Sequence, residues 1–210
     1  MRVIVFTEYG SNYKDIANIT TPIMRSYCER RGYEFRELIL DGTGNEYYYR
    51  KHEFIRDIFD NDEADLVFYL DCDAVITNHL IKLESFITYG AQFWITEHMG
   101  ELNGGAILAR KSNRGNDINN FILAHRDKFE NEQNVLNHYK EALLYANTMA
   151  VLKHPAFNSL DYSLYPECLE NIGREDLGDW SPGHFVCHFP GLGINDRLEL
   201  VKEFSQKIIE

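Results

Sequence analysis

Apolar residues along the first part of the chain follow two spacings in turn. Val3–Phe6, Phe35–Leu40 and Leu66–Leu70 are short continuous runs of the kind that form strands buried on both faces. Between them the apolar positions recur every third or fourth residue. Ile16, Ile19, Ile23 and Tyr27 mark one face of a helix that Gly32 should stop, and Tyr48, Ile55, Ile58 and Phe59 mark a second. Pro22 interrupts the first helical stretch and predicts a kink, or a fresh start capped by Thr21. Thr7-Glu8-Tyr9-Gly10 has turn chemistry and reads as the loop after the first strand. Strand, helix, strand, helix, strand predicts a parallel sheet with helices on its faces, an α/β fold. Beyond Leu70 the pattern is mixed. Strands are expected at Gln92–Thr96, Gly105–Ala109 and Phe185–Phe189, and helices around Ile118–His125 and Glu132–Tyr139. Ile194, Leu198, Val201, Phe204 and Ile208 form the core-facing stripe of a terminal helix. No repeat, low-complexity tract or linker-like stretch divides the chain, so 1–210 is expected to be a single domain.

The Leu66–Leu70 run stops on Asp71-Cys72-Asp73. In open α/β sheets ligands collect beyond the carboxyl ends of the strands, which places both carboxylates at that crevice. Two acids so close repel each other unless a positive group sits between them, and a hard divalent cation does this well. Asp60-Asn61-Asp62 has the same spacing in a polar stretch and reads as a solvated loop.

The composition narrows the ligand. A formal net charge of −12 argues against nucleic acid, which needs clustered Lys and Arg. An anionic small ligand would need a bound cation, which returns attention to the two aspartates. The chain has 13 Tyr and 13 Phe, a supply of rings suited to a sugar or base pocket as well as to a core. Cys28, Cys72, Cys168 and Cys187 have no CxxC pairing or regular spacing, so they read as reduced, buried thiols. The apolar run at Val3 is too short for a signal peptide or membrane span, and the chain is expected to be soluble and cytoplasmic. Oligomeric state has no signal in this pattern.

At this point the residues resemble a family. Tyr69-Leu70-Asp71-Cys72-Asp73-Ala74-Val75-Ile76-Thr77-Asn78 is similar to the DxD segment of nucleotide-sugar glycosyltransferases of the GT-A fold. The nearest likeness is to the galactosyl/xylosyl transferase group, which includes yeast α-galactosyl- and mannosyltransferases and plant xyloglucan xylosyltransferases. Tyr27-Cys28-Glu29-Arg30-Arg31-Gly32-Tyr33 resembles that group's first helix end, and Lys51 its lysine before the DxD strand. Leu102–Arg110 resembles its "LNxGxFLxR" strand, and Glu132-Gln133 its acidic-Gln pair. Phe157-Asn158-Ser159 matches its "FNS", and Gly183–Gly191 resembles its "GDFxxHFxG". The motifs fall in order along nearly the whole chain.

The resemblance implies a Rossmann-like GT-A domain with a mainly parallel, mixed sheet, a nucleotide-binding first half and an acceptor-binding second half. It implies transfer of a sugar from a nucleoside-diphosphate donor, a UDP-sugar, to a hydroxyl on a glycan or other acceptor, with retention of configuration. Asp71, Asp73 and a neutral His188 would hold Mn²⁺, with Mg²⁺ as second choice, bridging the two phosphates. Thr7 would offer backbone groups to the base, and Tyr9 or Tyr13 would stack on it. Lys51, Asn103, Gly104 and Gly191 would contact the donor. Gln133 or Glu132 would lie beneath the anomeric carbon and stabilise positive charge there. One departure is plain. The group's lysine after the HFxG is missing; Leu192-Gly193-Ile194-Asn195-Asp196 follows instead, and the next basic residue is Arg197. The group's membrane anchor and stem are also missing, which points to a soluble bacterial or viral relative acting on cytoplasmic acceptors.

Two readings of other classes compete. In haloacid-dehalogenase phosphatases an apolar strand also ends in Asp-x-Asp, and Asp71 would then be a nucleophile. Such a motif follows the first core strand, however, and Asp176 and Asp179 sit in a Gly-rich polar loop rather than at a second strand end. The other is a non-catalytic sugar-nucleotide-binding module, favoured by the missing lysine. Nucleotide-sugar turnover separates all three.

Overall fold

A computed structural model describes residues 1–40, 46–88, 90–98, 100–112, 115–152, 157–161 and 180–210. Among the described residues, nine strands and six helices follow in the order β1 (Val3–Gly10), α1 (Lys14–Arg31), β2 (Glu34–Leu40), α2 (Glu46–Asp60), β3 (Leu66–Leu70) and β4 (Ala74–Ile76). They continue with β5 (Phe93–His98), β6 (Glu101–Arg110), α3 (Gly115–Ala124), α4 (Glu132–His138), α5 (Lys140–Tyr145) and β7 (Met149–Leu152). The described chain closes with β8 (Ser159–Leu160), β9 (Val186–His188) and α6 (Ile194–Phe204).

The large sheet has the order β2-β1-β3-β6-β5-β7. Pairs β1–β2, β1–β3 and β5–β7 are parallel, whereas β6 runs antiparallel to both neighbours, so the sheet is mixed and mainly parallel. β3 is an interior strand with all five residues buried, each worth roughly 1.5–3 kcal/mol of transfer energy. Alternation along β1 and β3 sorts their side chains. Val3, Val5, Leu66, Phe68 and Leu70 pack with Met24 and Tyr27 of α1 on one face. Ile4, Phe6, Val67 and Tyr69 pack with α2 and α3 residues such as Ile55, Ile58 and Ile122 on the other.

Several expectations need correction. The segment 7–10 is strand: β1 pairs with β2 up to Gly10 opposite Leu40, and the turn begins at Ser11. The ladder with β2, which continues from Thr7 opposite Glu37 to Gly10 opposite Leu40, outweighs the turn propensity of these residues. Pro22 neither ends nor restarts the first helix, since α1 runs unbroken to Arg31. The carbonyl that Pro22 leaves without a partner belongs to Asn18, and both residues are exposed, so water can serve it while the buried face holds the helix together. Gly32 does stop the helix, in a left-handed conformation at φ 71°, with the Tyr33 amide returning to the Cys28 carbonyl. In α6, Val201 and Phe204 are buried but Ile194 is exposed at the start of the helix, and Ile208 lies past its end.

The pattern of apolar positions gave no warning of a second sheet, β4-β9-β8, in which β4 and β9 are antiparallel. Val75 and Cys187 from this sheet, with Phe189 just after β9, pack with Ile16 of α1 and with Val201 and Phe204 of α6. Helix α1 therefore touches both sheets. Cys28, Cys72 and Cys187 are buried free thiols, whereas Cys168, Asp176, Asp179 and the loop 162–167 expected to shape specificity lie outside the described residues.

Candidate active site

Asp71 follows the last residue of β3, at the carboxyl edge of the large sheet. Asp73 follows two residues on, in the turn that hands the chain to β4 and the small sheet. β9 returns beside β4 with its last residue, His188, opposite Ala74. The change of sheet thus folds the two carboxylates toward the imidazole. Ligand atoms of Asp71, Asp73 and His188 lie within 4.8 Å of one another. His188 Nε2 is 3.3 Å from Asp73 Oδ1 and 3.6 Å from Asp71 Oδ2. Neither ring nitrogen makes an aligned hydrogen bond.

Two carboxylates and an imidazole converging with unused lone pairs fit a divalent cation that takes oxygen ligands and one nitrogen. Burial pushes the imidazole down, but the pull of Asp71 and Asp73 outweighs it and brings His188 up to about 9. Burial raises Asp71, yet His188, Lys51 and the Tyr69 hydroxyl that donates to it hold the carboxyl well below its usual range. A proton on His188 therefore balances the acids in the bare site, and cation binding has to displace it.

The wall beside this cluster is β6. A Cβ at Gly105 would stand 2.2 Å from His188 Cε1 and 2.8 Å from Asp71 Oδ2, and one at Gly104 would stand 2.4 Å from Glu132 Oε1. The paired glycines are what let these side chains close over the strand. Lys51 is not a solvated helix lysine. It is buried, with Nζ 2.7 Å from Glu132 Oε1, donating to the Gly104 carbonyl at 3.0 Å and lying 4.7 Å from the centre of the Tyr69 ring. Glu132 Oε2 has no hydrogen-bond partner. The Asn131 side chain caps α4 by accepting from the Asn134 amide, so Glu132 turns inward and Gln133 faces the cavity. Gln133 Oε1 accepts from the Gly104 amide at 3.4 Å. Asn103 Oδ1 accepts from the Gly105 amide at 2.9 Å and from Asn158 Nδ2 at 3.2 Å, which gives the "FNS" asparagine a supporting task.

The first βα segment closes the other side. Thr7 is fully buried, with a hydroxyl that makes no hydrogen bond, and it stays off the cavity wall. Tyr9 reaches the wall, but its hydroxyl donates to Glu37 and its ring packs with Ala17 and Cys72. Tyr13 is half-open to the cavity, as are Tyr47 and the more exposed Tyr48 of α2 on the same wall. Gly191, in the turn after β9, lines the same space. The cavity bounded by these residues is about 520 Å³.

Two residues here were not chosen from the sequence. Arg197, noted only as the next basic residue after the missing lysine, enters the cavity from the first turns of α6. Its Nη1 donates at 2.6 Å both to Asp73 Oδ2 and to the Tyr13 hydroxyl. The signal was its position one helical turn after the loop that follows the HFxG. Glu8 belongs to the segment whose composition reads as a loop; on a strand its side chain is buried against the cavity. Burial pushes its carboxyl up to about 8, opposed by Lys51 and reinforced by Asp71 and Glu132.

No protein-family model and no curated relative matches this sequence. Solved structures do match its shape. A glycosyltransferase involved in glycosylating the major capsid of PBCV-1 superposes with a TM-score of 0.73 at 16% identity, over 97% of this chain and 100% of that one. This is the GT-A glycosyltransferase fold. The glycosyltransferase GlyE of Streptococcus pneumoniae gives 0.61 at 17% identity over 98% of this chain, which spans 61% of GlyE. The galactosyltransferase LgtC, solved with donor and acceptor sugar analogues, gives 0.57 at 12% identity over 99% of this chain and 96% of its own. Among the described residues no helix is long and apolar enough to cross a membrane.

Proposed function

We propose that this protein is a metal-dependent, retaining glycosyltransferase that uses a UDP-sugar, with 1–210 forming one catalytic domain. The observation that carries the reading is the meeting of Asp71, Asp73 and His188 where the chain changes sheets, beside a cavity walled by Gly104-Gly105. Asp71, Asp73 and His188 would hold Mn²⁺, or Mg²⁺, which supplies charge neutralisation for a departing diphosphate. Arg197 stands where it can add a guanidinium to that same phosphate group, a task fitted to its planar donors. Tyr13, which lines the cavity, would stack on the base. Lys51 and Glu132 fix each other in the sugar wall. Gln133, held by the Gly104 amide, would face the anomeric carbon and stabilise positive charge as the bond to the diphosphate breaks and the acceptor oxygen bonds in its place, the acceptor's proton passing to the departing diphosphate. The acceptor would be a hydroxyl of a glycan or other molecule. The position of β3 as an interior strand that follows β1 and β2 weighs against the phosphatase reading, and Arg197 against a module that has lost its phosphate grip.

The test is a panel of nucleotide sugars screened by thermal shift with and without Mn²⁺, followed by release of the nucleoside diphosphate as turnover. Asp73→Asn should lose Mn²⁺-dependent donor binding and turnover together. Gln133→Ala should keep donor binding while turnover slows, as expected for a group that acts mainly on the transition state. Wild-type Mn²⁺-dependent affinity in the Asp73 variant would overturn the metal assignment.

A further inference from the structure

β1 brings one group into the cavity that none of the roles above uses. Ile4, Phe6 and Glu8 alternate onto the face of the sheet that meets α2, and β1 runs parallel to β3 with Phe6 opposite Tyr69. The next inward residues on the two strands, Glu8 and Asp71, therefore rise side by side at the cavity floor. Glu8 is 8% exposed, lines the cavity, and its Oε2 has no hydrogen-bond partner.

The nearest cation is already committed. Lys51 lies over the Tyr69 ring of β3 and spends its ammonium on Glu132 and on the Gly104 carbonyl, on the β6 side of the sheet. Glu8 sits on the opposite side of β3, across from Glu132. Both acids leave one buried oxygen without a partner. An unpartnered buried carboxyl oxygen costs stability, so a site that keeps two of them has a use for them when filled. Beside Glu8 the cavity offers carboxyl oxygens, with Lys51 already taken up by Glu132, so this corner does not suit an anionic group. A hydroxyl fits, because it donates to a carboxylate and also accepts from a carboxylic acid.

Resting on the donor-sugar reading above, we propose that Glu8 is a specificity-determining residue, accepting a ring hydroxyl of the transferred sugar while Glu132 accepts another. The site then selects a neutral sugar with hydroxyls at both positions and rejects uronic acids, whose carboxylate would face Glu8 and Glu132 with Lys51 already committed to Glu132 and the Gly104 carbonyl. Burial, which pushes the Glu8 carboxyl up to about 8, agrees with a group that can take either side of a hydroxyl hydrogen bond.

The experiment is calorimetry with Mn²⁺ and four probes: UDP, UDP-glucose, UDP-galactose and UDP-glucuronic acid. The wild type should bind the better neutral UDP-hexose at least tenfold more tightly than UDP-glucuronic acid. Glu8→Ala should lower affinity for that hexose donor about tenfold and leave affinity for UDP within about twofold, with Glu8→Gln between the two. UDP binding also shows that each variant is folded. An equal loss for UDP and UDP-hexose places Glu8 at the ribose or base and overturns the proposal. Unchanged hexose binding in both variants overturns it as well. A wild type that binds UDP but no UDP-sugar more tightly than UDP, or binds none of the four, defeats the donor reading itself.

Discussion

Gly105→Ala isolates the close packing on which the candidate metal cluster depends. The added methyl would meet His188 Cε1 at 2.2 Å, so the ring would have to retreat by about 1.2 Å to reach the near edge of ordinary contact. It cannot retreat freely, because His188 is fully buried and anchored in β9 opposite Ala74. Asp71 Oδ2, at 2.8 Å from the same methyl, is displaced too, although it is held by Tyr69. Overpacking of this kind costs about 1–3 kcal/mol of stability. The effect on the cation should be larger than that on the fold, since shifting two of three ligands from a shared point lowers affinity by about 10–100-fold. Gly32→Ala is the control. Its φ of 71° makes alanine strained by about 1–2 kcal/mol, but no atom lies within 4 Å of the added methyl. The two variants should therefore lose similar stability in urea denaturation, while only Gly105→Ala weakens Mn²⁺ binding measured by calorimetry in the presence of UDP. Wild-type Mn²⁺ affinity in Gly105→Ala would refute the argument that these glycines exist to seat the cluster.

Other consequences are equally accessible. Removing the guanidinium with Arg197→Ala should weaken Mn²⁺-dependent UDP binding about tenfold, with Arg197→Lys recovering part of it; unchanged affinity would mean that Arg197 serves only Asp73 and Tyr13. The difference between Asp73→Asn and Gln133→Ala should lie in binding versus turnover, and normal turnover in the glutamine variant would reduce Gln133 to a helix-end residue. His52 gives a pH test away from the cluster. Burial, with Lys51 adding to it, pushes the imidazole down to about 3 from its ordinary 6.5, while its Nδ1 lies 2.9 Å from Asn119 Oδ1. The unfolded chain then takes up a proton that the folded chain refuses, so His52 costs stability progressively as pH falls below 6.5 toward 3, by about 2 kcal/mol at about pH 5. Urea denaturation of wild type and His52→Gln should show their stability difference shifting by that amount between about pH 7.5 and about pH 5. A constant difference would show that the histidine is not held neutral.

The sequence by itself determined the elements whose information is local. The β3 run, the helices α1 and α2 and the stop at Gly32 depend on spacing within a few residues and lie where the pattern put them, except that Tyr48 of the α2 stripe is exposed and Tyr49 is buried in its place. The DxD at the end of β3 and the order of the motifs along the chain were legible for the same reason. Tertiary structure decided what depends on partners far away in the chain. Ladder pairing with β2 carried β1 through residues of turn chemistry and so turned Glu8 into the cavity. The small sheet arises from β4, β8 and β9, three short strands from distant parts of the chain, and this pairing is what sets His188 beside Asp71 and Asp73. Lys51 and Glu132 are 81 positions apart, and nothing in either segment announces that one buried charge will neutralise the other. Arg197 shows the limit most directly: a motif has a fixed place along the chain, but a guanidinium at the end of a long side chain can come to the same place in space from a different turn of helix.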